Sequence, residues 1–407
     1  MISISEHLHI MGIAGSGASA FASLARAFGY RVSGCDRGQA GHSPRHLRGV
    51  DWLIVSPAIF SLDPENPELV AAYRRGIPVA TWQEFLGKFL LKGRQVIGVC
   101  GTHGKSTIAA MIAYVLEGAG FDPSYLLGAK IRGGSNFRRG GSKLFVIEAD
   151  EFNNNFLNYP VSLSVCVSLE FDHPECFSNF EEYLSSFETF ARGGEKFVCY
   201  KRDRGVRRFL GYLKGWPGKV RRFSMPYQGE LLVPGGHNRI NARAAYLAVR
   251  DVGVSAAEAG KLLGSFPGVE RRLELRKVIR GRKIYDDYGH HPGQLRAVST
   301  SLRQLYPDEV IVVVFQPHMF SRTKILFDEF VSVLREMPVN EVLVTDIFPS
   351  REKDLGKIHS RDLVRAVGRD TVRYLPQEEI LAFLKKAPSN VVAFVSAGDV
   401  NKLIDEL

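Results

Sequence analysis

The chain has 407 residues, 45% of them hydrophobic and 24% charged, with a formal charge of +10 at pH 7. This length suits two to three domains with sizeable cores, the composition is ordinary for a globular protein, and no low-complexity tract interrupts it. The positive balance suits an anionic ligand, but no nucleic-acid-binding motif accompanies it, so a nucleotide pocket is expected and a nucleic-acid partner is not.

The densest basic stretch, Arg192 to Arg222, sets eleven Lys or Arg against Glu195 and Asp203. Few aromatics interleave there, and it reads as a solvated face. The cysteines Cys35, Cys100, Cys166, Cys176 and Cys199 are odd in number and never form CxxC. They read as reduced thiols of a cytoplasmic protein rather than a disulfide framework or zinc knuckle. Leu8 to Ala25 carries no formal charge, but its Gly and Ser content and the lack of a basic segment before it argue against a signal peptide or a membrane span.

In chain order, Leu8 to Ile13 reads as a strand, Gly12, Gly15 and Gly17 as a glycine turn, Ala18 to Phe28 as a helix, and Arg31 to Gly34 as a strand running to Asp36. This is the opening of a nucleotide-binding α/β unit. The spacing is not GxGxxG, so no nicotinamide dinucleotide is implied. Trp52 to Ser56 and Ile77 to Ala80 read as further strands, Trp82 to Leu91 as helical, and Lys92-Gly93-Arg94 as a linker.

A second α/β unit starts at Gln95. The apolar run Val96 to Cys100 leads into Gly101-Thr102-His103-Gly104-Lys105-Ser106-Thr107, followed by the helix-like Ile108 to Glu117. A strand ending in a glycine turn lets backbone N–H groups curl around phosphate oxygens, and the next helix adds its positive end. Lys105 then neutralises the β and γ phosphates, and Ser106 ligates Mg²⁺. Val99 stands where the usual pattern has its first glycine, which makes this a shortened variant. The strand-like Lys143 to Ala149 and Leu163 to Ser168 end in Glu148-Ala-Asp-Glu151 and Glu170-Phe-Asp-His173. The carboxyl ends of parallel strands are where such sheets place ligands. Ser106, Glu148 and His173 therefore form the expected metal set, with Glu151 and Asp172 in reserve.

Gly236-His-Asn-Arg-Ile-Asn241 opens a helix over Ala242 to Val249, with Asn238 and Asn241 on one face of its first turn, able to bind nucleotide or to cap. Gly268-Val-Glu-Arg-Arg272 precedes a third unit that opens near Lys283 with Asp286-Asp-Tyr-Gly-His-His-Pro292 and the helix-like Gln294 to Leu305. The strand Val310 to Phe315 leads into Gln316-Pro-His-Met-Phe-Ser-Arg-Thr323, and Val342 to Asp346 and Val391 to Ser396 read as later strands, the last ending in Ala397-Gly-Asp399. Phe85, Phe89 and Met111 read as core at helical spacing.

Together GTHGKST (101–107), EADE (148–151), Asp172-His173, GHNRINARAA (236–245), GVERR (268–272), DDYGHHP (286–292), FQPH (315–318) and SAGD (396–399) resemble the Mur ligase family of ATP-dependent amide-forming enzymes, and within it the alanine-adding branch. The likeness spans nearly the whole chain. GIAGSG at Gly12 to Gly17, SGCD around Asp36 and SPAI (56–59) resemble the amino-terminal UDP-sugar-binding domain of that branch.

The resemblance implies an α/β protein of three domains: a Rossmann-like UDP-binding domain over 1–93, a central P-loop ATPase-like domain over 94–272, and a Rossmann-like amino-acid-binding domain over 273–407. It implies ATP and Mg²⁺ as cofactors, and UDP-N-acetylmuramate and L-alanine as substrates. It further implies a monomer or weak homodimer, a cytoplasmic location, and neither nucleic acid nor membrane as partner. Gly101 to Thr107 with Lys105 would hold the ATP phosphates, Ser106, Glu148 and His173 the magnesium, and Asn238, Asn241, Arg272 and Asp287 the nucleotide. His290, His291, His318 and Arg322 would serve the substrate, with Lys105, His173, Asn238, Arg272, Asp287 and His318 as the catalytic set. Gly12, Gly15, Gly17, Asp36 and Ser56 would contact the UDP part. The implied chemistry is an acyl phosphate formed from the lactyl carboxylate, then displaced by the amine, with domain closure excluding water.

Some positions depart from the family pattern. Met319 stands where an arginine commonly follows Phe-Gln-Pro-His, which leaves Arg322 as the carboxylate clamp. EADE continues as Phe152-Asn-Asn-Asn155 rather than a Ser-Asp pair. Phe187 falls where other branches carry a carbamylated lysine, which the alanine-adding branch also lacks. Alternatives are a ligase attaching a tripeptide to the same UDP-sugar, a silent UDP-sugar and ATP-binding regulator, and a nucleic-acid ATPase.

Overall fold

A computed structural model describes residues 6–38, 41–173, 175–350, 352–354 and 356–407, with the side chains of Ala58 (within the SPAI motif), Ser61 and Leu62 outside that description. Three sheets carry the chain. The first holds β1 (His7–Met11), β2 (Arg31–Cys35), β3 (Trp52–Val55) and β4 (Val79–Thr81), in the order β2-β1-β3-β4 and parallel throughout. The second holds β5 (Gln95–Cys100), β6 (Ser124–Leu126), β7 (Phe137–Arg138), β8 (Leu144–Glu148), β9 (Val161–Cys166), β10 (Lys196–Tyr200) and β11 (Lys219–Phe223). Its order is β11-β10-β9-β5-β8-β6-β7, and only β7 is antiparallel. The third holds β12 (Glu274–Ile279), β13 (Arg282–Asp287), β14 (Ile311–Phe315), β15 (Glu341–Val344), β16 (Val372–Tyr374) and β17 (Val391–Val395), in the order β12-β13-β17-β14-β15-β16, with β12 antiparallel.

The central strands are apolar without alternation because helices cover both faces, as parallel sheets require. Register then brings particular ends together. Met11 pairs with Cys35 and with Val55, so the first glycine turn, Asp36 and Ser56 all follow at one edge. Val99 pairs with Glu148, and Cys100 with Cys166, so the phosphate loop lies between the ends of β8 and β9. In the third sheet Val395 pairs with both Asp287 and Phe315, which juxtaposes three of the sequence motifs.

The chain divides into two compact units, residues 1–231 with 240–267, and residues 232–239 with 268–407. The first unit contains the first two sheets, which share a continuous core. At its centre Phe85, fully buried, meets Phe21, Tyr30, Trp52 and Phe89 at ring separations of 6.0, 5.6, 5.5 and 4.7 Å. Phe85 closes the helix Trp82–Phe85, capped by a reciprocal Thr81–Glu84 pair, and the chain then widens into a looser turn over Leu86–Leu90, with Leu91 N–H bonding Leu86 O. Emptying a site that packed leaves a cavity. Phe85→Ala is therefore expected to cost about 3–5 kcal/mol of stability, read by urea unfolding with tryptophan fluorescence, while the far-UV spectrum of the folded state is kept.

Phe85 and Met111 are fully buried and Phe89 half-buried, so the helical-spacing reading of these residues holds. The basic stretch ends in β11, an edge strand whose Lys219, Arg221 and Arg222 are exposed. Charges on an edge strand deter pairing with another chain, which fits the solvated-face reading.

Candidate active site

The phosphate loop takes its shape from two contacts that only glycine permits. Gly101, at φ +108°, follows β5 so closely that a Cβ there would sit 2.5 Å from the Ser168 carbonyl oxygen. Gly104, at φ +84°, caps the helix Lys105–Gly118, and a Cβ on it would lie 2.6 Å from Asn241 Oδ1. That places Asn241, buried, against the loop. Ser106 and Thr107 are buried in the first helical turn, whose N–H groups form the helix's positive end. Thr102 locks the loop to the end of β9: its N–H bonds Ser168 O at 3.0 Å, and its hydroxyl donates to Glu170 O and accepts from Glu170 N–H, each at 2.8 Å. His103 Nε2 lies 3.0 Å from Glu170 Oε2.

Lys105 is the cation of the site. Its Nζ reaches Glu151 at 2.9 and 3.1 Å and Asp150 at 3.5 Å. Glu151 is fully buried and also accepts the Tyr183 hydroxyl at 3.0 Å, which in turn lies 3.1 Å from Thr102 Oγ1. Burial alone would favour neutral Lys105, but Glu151, Asp150 and Glu148 outweigh it and hold the ammonium well above its ordinary pKa. A cation kept charged in a dry site is prepared for phosphate.

His173 adopts φ +56° at the end of its loop, with Nδ1 3.2 Å from Glu175 and Nε2 3.9 Å from Asp172. Burial would lower its pKa, yet Glu175, Asp172, Asp150 and Glu151 together raise it above the ordinary 6.5. Donor atoms of Asp150, Glu151 and His173 all lie within 4.8 Å of one another. Of the three residues named from sequence for the metal, His173 belongs to this group. Glu148 instead accepts the Gly128 N–H at 2.9 Å, and Ser106 sits in the helix's first turn.

At the edge of the first sheet, the N–H groups of Gly12 and Ile13 bond Cys35 O, and Ala14 N–H bonds Asp36 Oδ2 at 3.2 Å. Gly12 and Ser56 are close, since a Cβ on Gly12 would be 3.1 Å from Ser56 Cβ. Gly15 N–H closes the turn on Gly12 O, while Gly17 makes room for the Trp82 ring, 3.0 Å from where its Cβ would be.

In the second unit, His318 lies between the rings of His290 and Phe348, each at 5.8 Å, with Arg322 Nη1 3.4 Å from its Nδ1. His291 caps the helix Pro292–Leu305, its Nδ1 accepting the Gly293 N–H, and Gln294 bonds back to the His290 and His291 N–H groups. Met319 takes φ +70° at the start of the helix Phe320–Ile325. Asp287, buried, receives the Leu273 N–H at 2.7 Å and the Gly289 N–H at 2.8 Å, and burial pushes its pKa up despite Arg272 nearby. Arg271 and Arg272 both face the Tyr288 ring, at 5.0 and 5.5 Å. Asn238 donates to Pro234 O at 2.6 Å.

Sequence reasoning gave Asp150 no role, kept Glu151 in reserve and overlooked Tyr183, although they are the groups that fix Lys105. It also missed Gln316, whose Oε1 accepts Ser396 Oγ–H, Asp399 N–H and Val400 N–H, and whose Nε2 donates to Asp399 and Gln377. That network explains physically why FQPH and SAGD occur together. A cavity of about 470 Å³ lined by Phe320, Asp346, Ile347, His359, Arg361 and Tyr374, among others, contains none of the expected site residues. Phe187, at the position of the absent carbamylated lysine, is buried core against Phe156 and Tyr183.

Comparison with known proteins fits this geometry. The family model described as "Mur ligase family, catalytic domain" matches residues 7–94, and "Mur ligase, glutamate ligase domain" matches residues 271–400. The chain is 32% identical to the UDP-N-acetylmuramate–L-alanine ligase of Aquifex aeolicus, covering 98% of this chain and 97% of that one. It is 34% identical to the protein of the same name from Paenarthrobacter aurescens, over 97% and 94%. In fold it resembles the crystal structure of UDP-N-acetylmuramate-alanine ligase from Thermotoga maritima, with a TM-score of 0.79, 24% identity and 98% of each chain covered. A murein peptide ligase from Psychrobacter arcticus has the same fold at TM-score 0.72 and 21% identity, over 99% and 98%. The chain belongs to the Mur ligase family.

Proposed function

We propose that this chain is an ATP-dependent ligase that joins L-alanine to the lactyl carboxylate of UDP-N-acetylmuramate in peptidoglycan precursor synthesis. The observation that carries the reading is Lys105, held charged by strand-end carboxylates at a phosphate loop, in a chain whose similarity to ligases of that name runs its full length. A carboxylate is a poor nucleophile towards an anionic phosphoryl group, so positive charge and positioning must supply the catalysis. The carboxylate oxygen attacks the γ-phosphorus of ATP, the bond to ADP breaks, and an acyl phosphate forms. The amine of alanine then adds to the acyl carbon, phosphate leaves, and the amine proton goes to solvent.

In this reading Lys105 and the N–H groups of residues 102–107 hold the phosphates, and Asn238, Asn241, Arg272 and Asp287 hold the nucleotide. Gly12, Gly15, Gly17, Asp36 and Ser56 bind the UDP part, and His290, His291, His318 and Arg322 serve the substrate. Domains over 1–93, 94–272 and 273–407 belong to the same reading, and the presence of one sheet in each range supports it. The clustered Asp150, Glu151 and His173 suit Mg²⁺, and Ser106 and Glu148 stay in the proposed metal set as helix-start and strand-end oxygen donors outside that cluster. When bound there, the ion would neutralise phosphate charge. Among the described residues none of the five cysteines forms a disulfide, which supports a cytoplasmic location. No helix of the described residues is long and apolar enough to cross a membrane. A monomer or weak homodimer is expected, read by sedimentation at several concentrations.

The raised pKa of His173 bears on this reading. A protonated imidazole has no lone pair, so the Mg²⁺ concentration for half-maximal ATP turnover should fall as pH rises from 6.5 through that pKa, by up to about tenfold per pH unit. His173→Asn should flatten this limb; an unchanged slope removes His173 from the metal set.

The function itself is tested by incubating the protein with ATP, Mg²⁺ and UDP-N-acetylmuramate, adding each amino acid or an alanyl-led tripeptide separately, and following phosphate release with product mass. Release that depends on L-alanine, with a product heavier by one alanyl residue, is the expected result. A response to tripeptide alone makes the chain a tripeptide ligase, and silence with every amine makes it a binding protein.

A further inference from the structure

We propose that the first sheet carries a second cation site, built from His9, Cys35, His46 and Glu68 and suited to a late first-row divalent ion, zinc first. One donor atom from each of these four residues lies within 4.8 Å of the other three. The separations are 3.4 Å from His9 Nε2 to Cys35 Sγ, 2.9 Å from His9 Nε2 to Glu68 Oε1, 3.3 Å from Cys35 Sγ to Glu68 Oε2, and 3.3 Å from His46 Nδ1 to Glu68 Oε2. The edges of a tetrahedron around zinc, from bonds of about 2.0–2.3 Å, are about 3.3–3.6 Å; three of the four separations already match, and Glu68 would turn to present one oxygen to all three partners when an ion binds. His42 is a reserve donor, its Nδ1 3.1 Å from Cys35 Sγ and 3.8 Å from Glu68 Oε2.

The chemistry of the set selects the ion. Two imidazoles, a thiol and a carboxylate are a mixed N/S/O set, which favours zinc and its neighbours over magnesium or calcium. Cys35 and Glu68 are buried and sit on regular elements: Cys35 ends β2, and Glu68 lies in the first turn of the helix Pro67–Arg74. Among the described residues, the ion-pair partners of Glu68 are imidazoles alone, from His9, His42 and His46. The supporting shell is in place as well. His9 Nδ1 and His7 Nε2 each lie 2.7 Å from Ser33 Oγ. Once an ion takes the place of the Nε2 proton, a hydrogen bond from His9 Nδ1–H to that hydroxyl would hold the tautomer whose Nε2 lone pair faces the cluster. The His46 side chain is 26% exposed, which gives the ion a way in.

Binding would replace the Cys35 S–H bond by a sulfur–metal bond and release that proton to solvent. It would clamp β1, β2 and the helix Pro67–Arg74 together. Cys35 O already anchors the Gly12 and Ile13 N–H groups, and Asp36 follows it, so the ion would brace the turn proposed for UDP.

The test uses the full chain stripped with EDTA and titrated with Co²⁺, then Zn²⁺, with no substrate present, so it is independent of the ligase reading. One equivalent of Co²⁺ should give a near-ultraviolet sulfur-to-cobalt band that Zn²⁺ abolishes and Cys35→Ser lacks. The Asp150–Glu151–His173 group has no sulfur and cannot give this band. Glu68→Gln should weaken Zn²⁺ binding by at least about tenfold, and so should His46→Asn, which alters the more exposed ligand if the buried variants fail to fold. A wild-type chain without the band, a band that survives Cys35→Ser, or Zn²⁺ affinity unchanged in His46→Asn overturns the site and leaves a buried hydrogen-bonded network.

Discussion

Lys105→Met should lower kcat for ATP-dependent ligation by at least about 10²–10³-fold, the usual effect of removing one group that stabilises transferring charge in a dry site. Phosphate release in a single turnover measures it. The same substitution should also destabilise the protein, because Glu151 is fully buried and would keep only the Tyr183 hydroxyl and its weaker neighbours. Removing one partner of a buried ion pair costs about 3–5 kcal/mol when the other stays charged.

Glu151 can escape that cost by taking up a proton. Burial already raises its pKa above 4.5 even with Lys105 opposing, and the variant removes that opposition. A carboxyl whose folded pKa is raised imposes no penalty below its unfolded pKa, and a growing one as pH rises towards the folded pKa. The stability deficit of Lys105→Met should therefore be absent below 4.5 and increase above it, as urea midpoints at several pH values would show. A deficit independent of pH would mean that Glu151 does not carry the effect.

Gly101→Ala should be nearly as damaging by a different route. At φ +108° an L side chain is strained, and the new Cβ would lie 2.5 Å from the Ser168 carbonyl and 3.0 Å from Cys166 Sγ. Backbone strain of about 1–3 kcal/mol adds to overpacking of about 1–3 kcal/mol. The neighbour that must yield is backbone of the loop that Thr102 clamps, so relaxation displaces the phosphate loop itself. We expect ATP affinity to fall at least about tenfold, equivalent to 1.4 kcal/mol of that strain, read by nucleotide titration, together with a lower melting temperature. Gly120→Ala, also at positive φ but with nothing within 4 Å of the new Cβ, separates the two contributions.

Much of the fold was legible in the sequence because its central strands are apolar runs bounded by glycine turns. Gln95–Cys100, Ile311–Phe315 and Val391–Val395 lie within a residue or two of their expected limits, while the phosphate-loop helix begins at Lys105, three residues before the expected Ile108. The antiparallel additions were not legible. β12 forms a hairpin with β13 across Arg280-Gly281, but Leu275, Arg276 and Val278 are exposed, and β6 and β7 are only three and two residues long, so none of them shows as an apolar run. The loop after EADE was equally opaque, since Asn153 and Asn154 take left-handed conformations that asparagine tolerates but does not announce.

At the candidate site, sequence spacing proposed Lys105 and His173 but not what holds them. Glu151 was legible as an acid at a strand end, yet its ion pair with Lys105 and its hydrogen bond from Tyr183 arise only when the strand register brings the ends of β5 and β8 together. The cysteine pattern pointed away from a CxxC metal knuckle, whereas the cluster around Cys35 draws its donors from β1, β2, the short 3-10 helix Pro44–Leu47 and the helix Pro67–Arg74, which no short motif spans.

The most direct test of the account follows oxygen. UDP-N-acetylmuramate labelled with ¹⁸O in both lactyl carboxylate oxygens is converted with ATP, Mg²⁺ and L-alanine, and the released phosphate is analysed by mass spectrometry. If the carboxylate attacks phosphorus and the acyl phosphate is then cleaved at its carbon–oxygen bond, each phosphate carries one ¹⁸O and the amide product keeps the other. Phosphate without label, formed whether or not L-alanine is present, would instead show ATP hydrolysis by water and contradict the ligase mechanism.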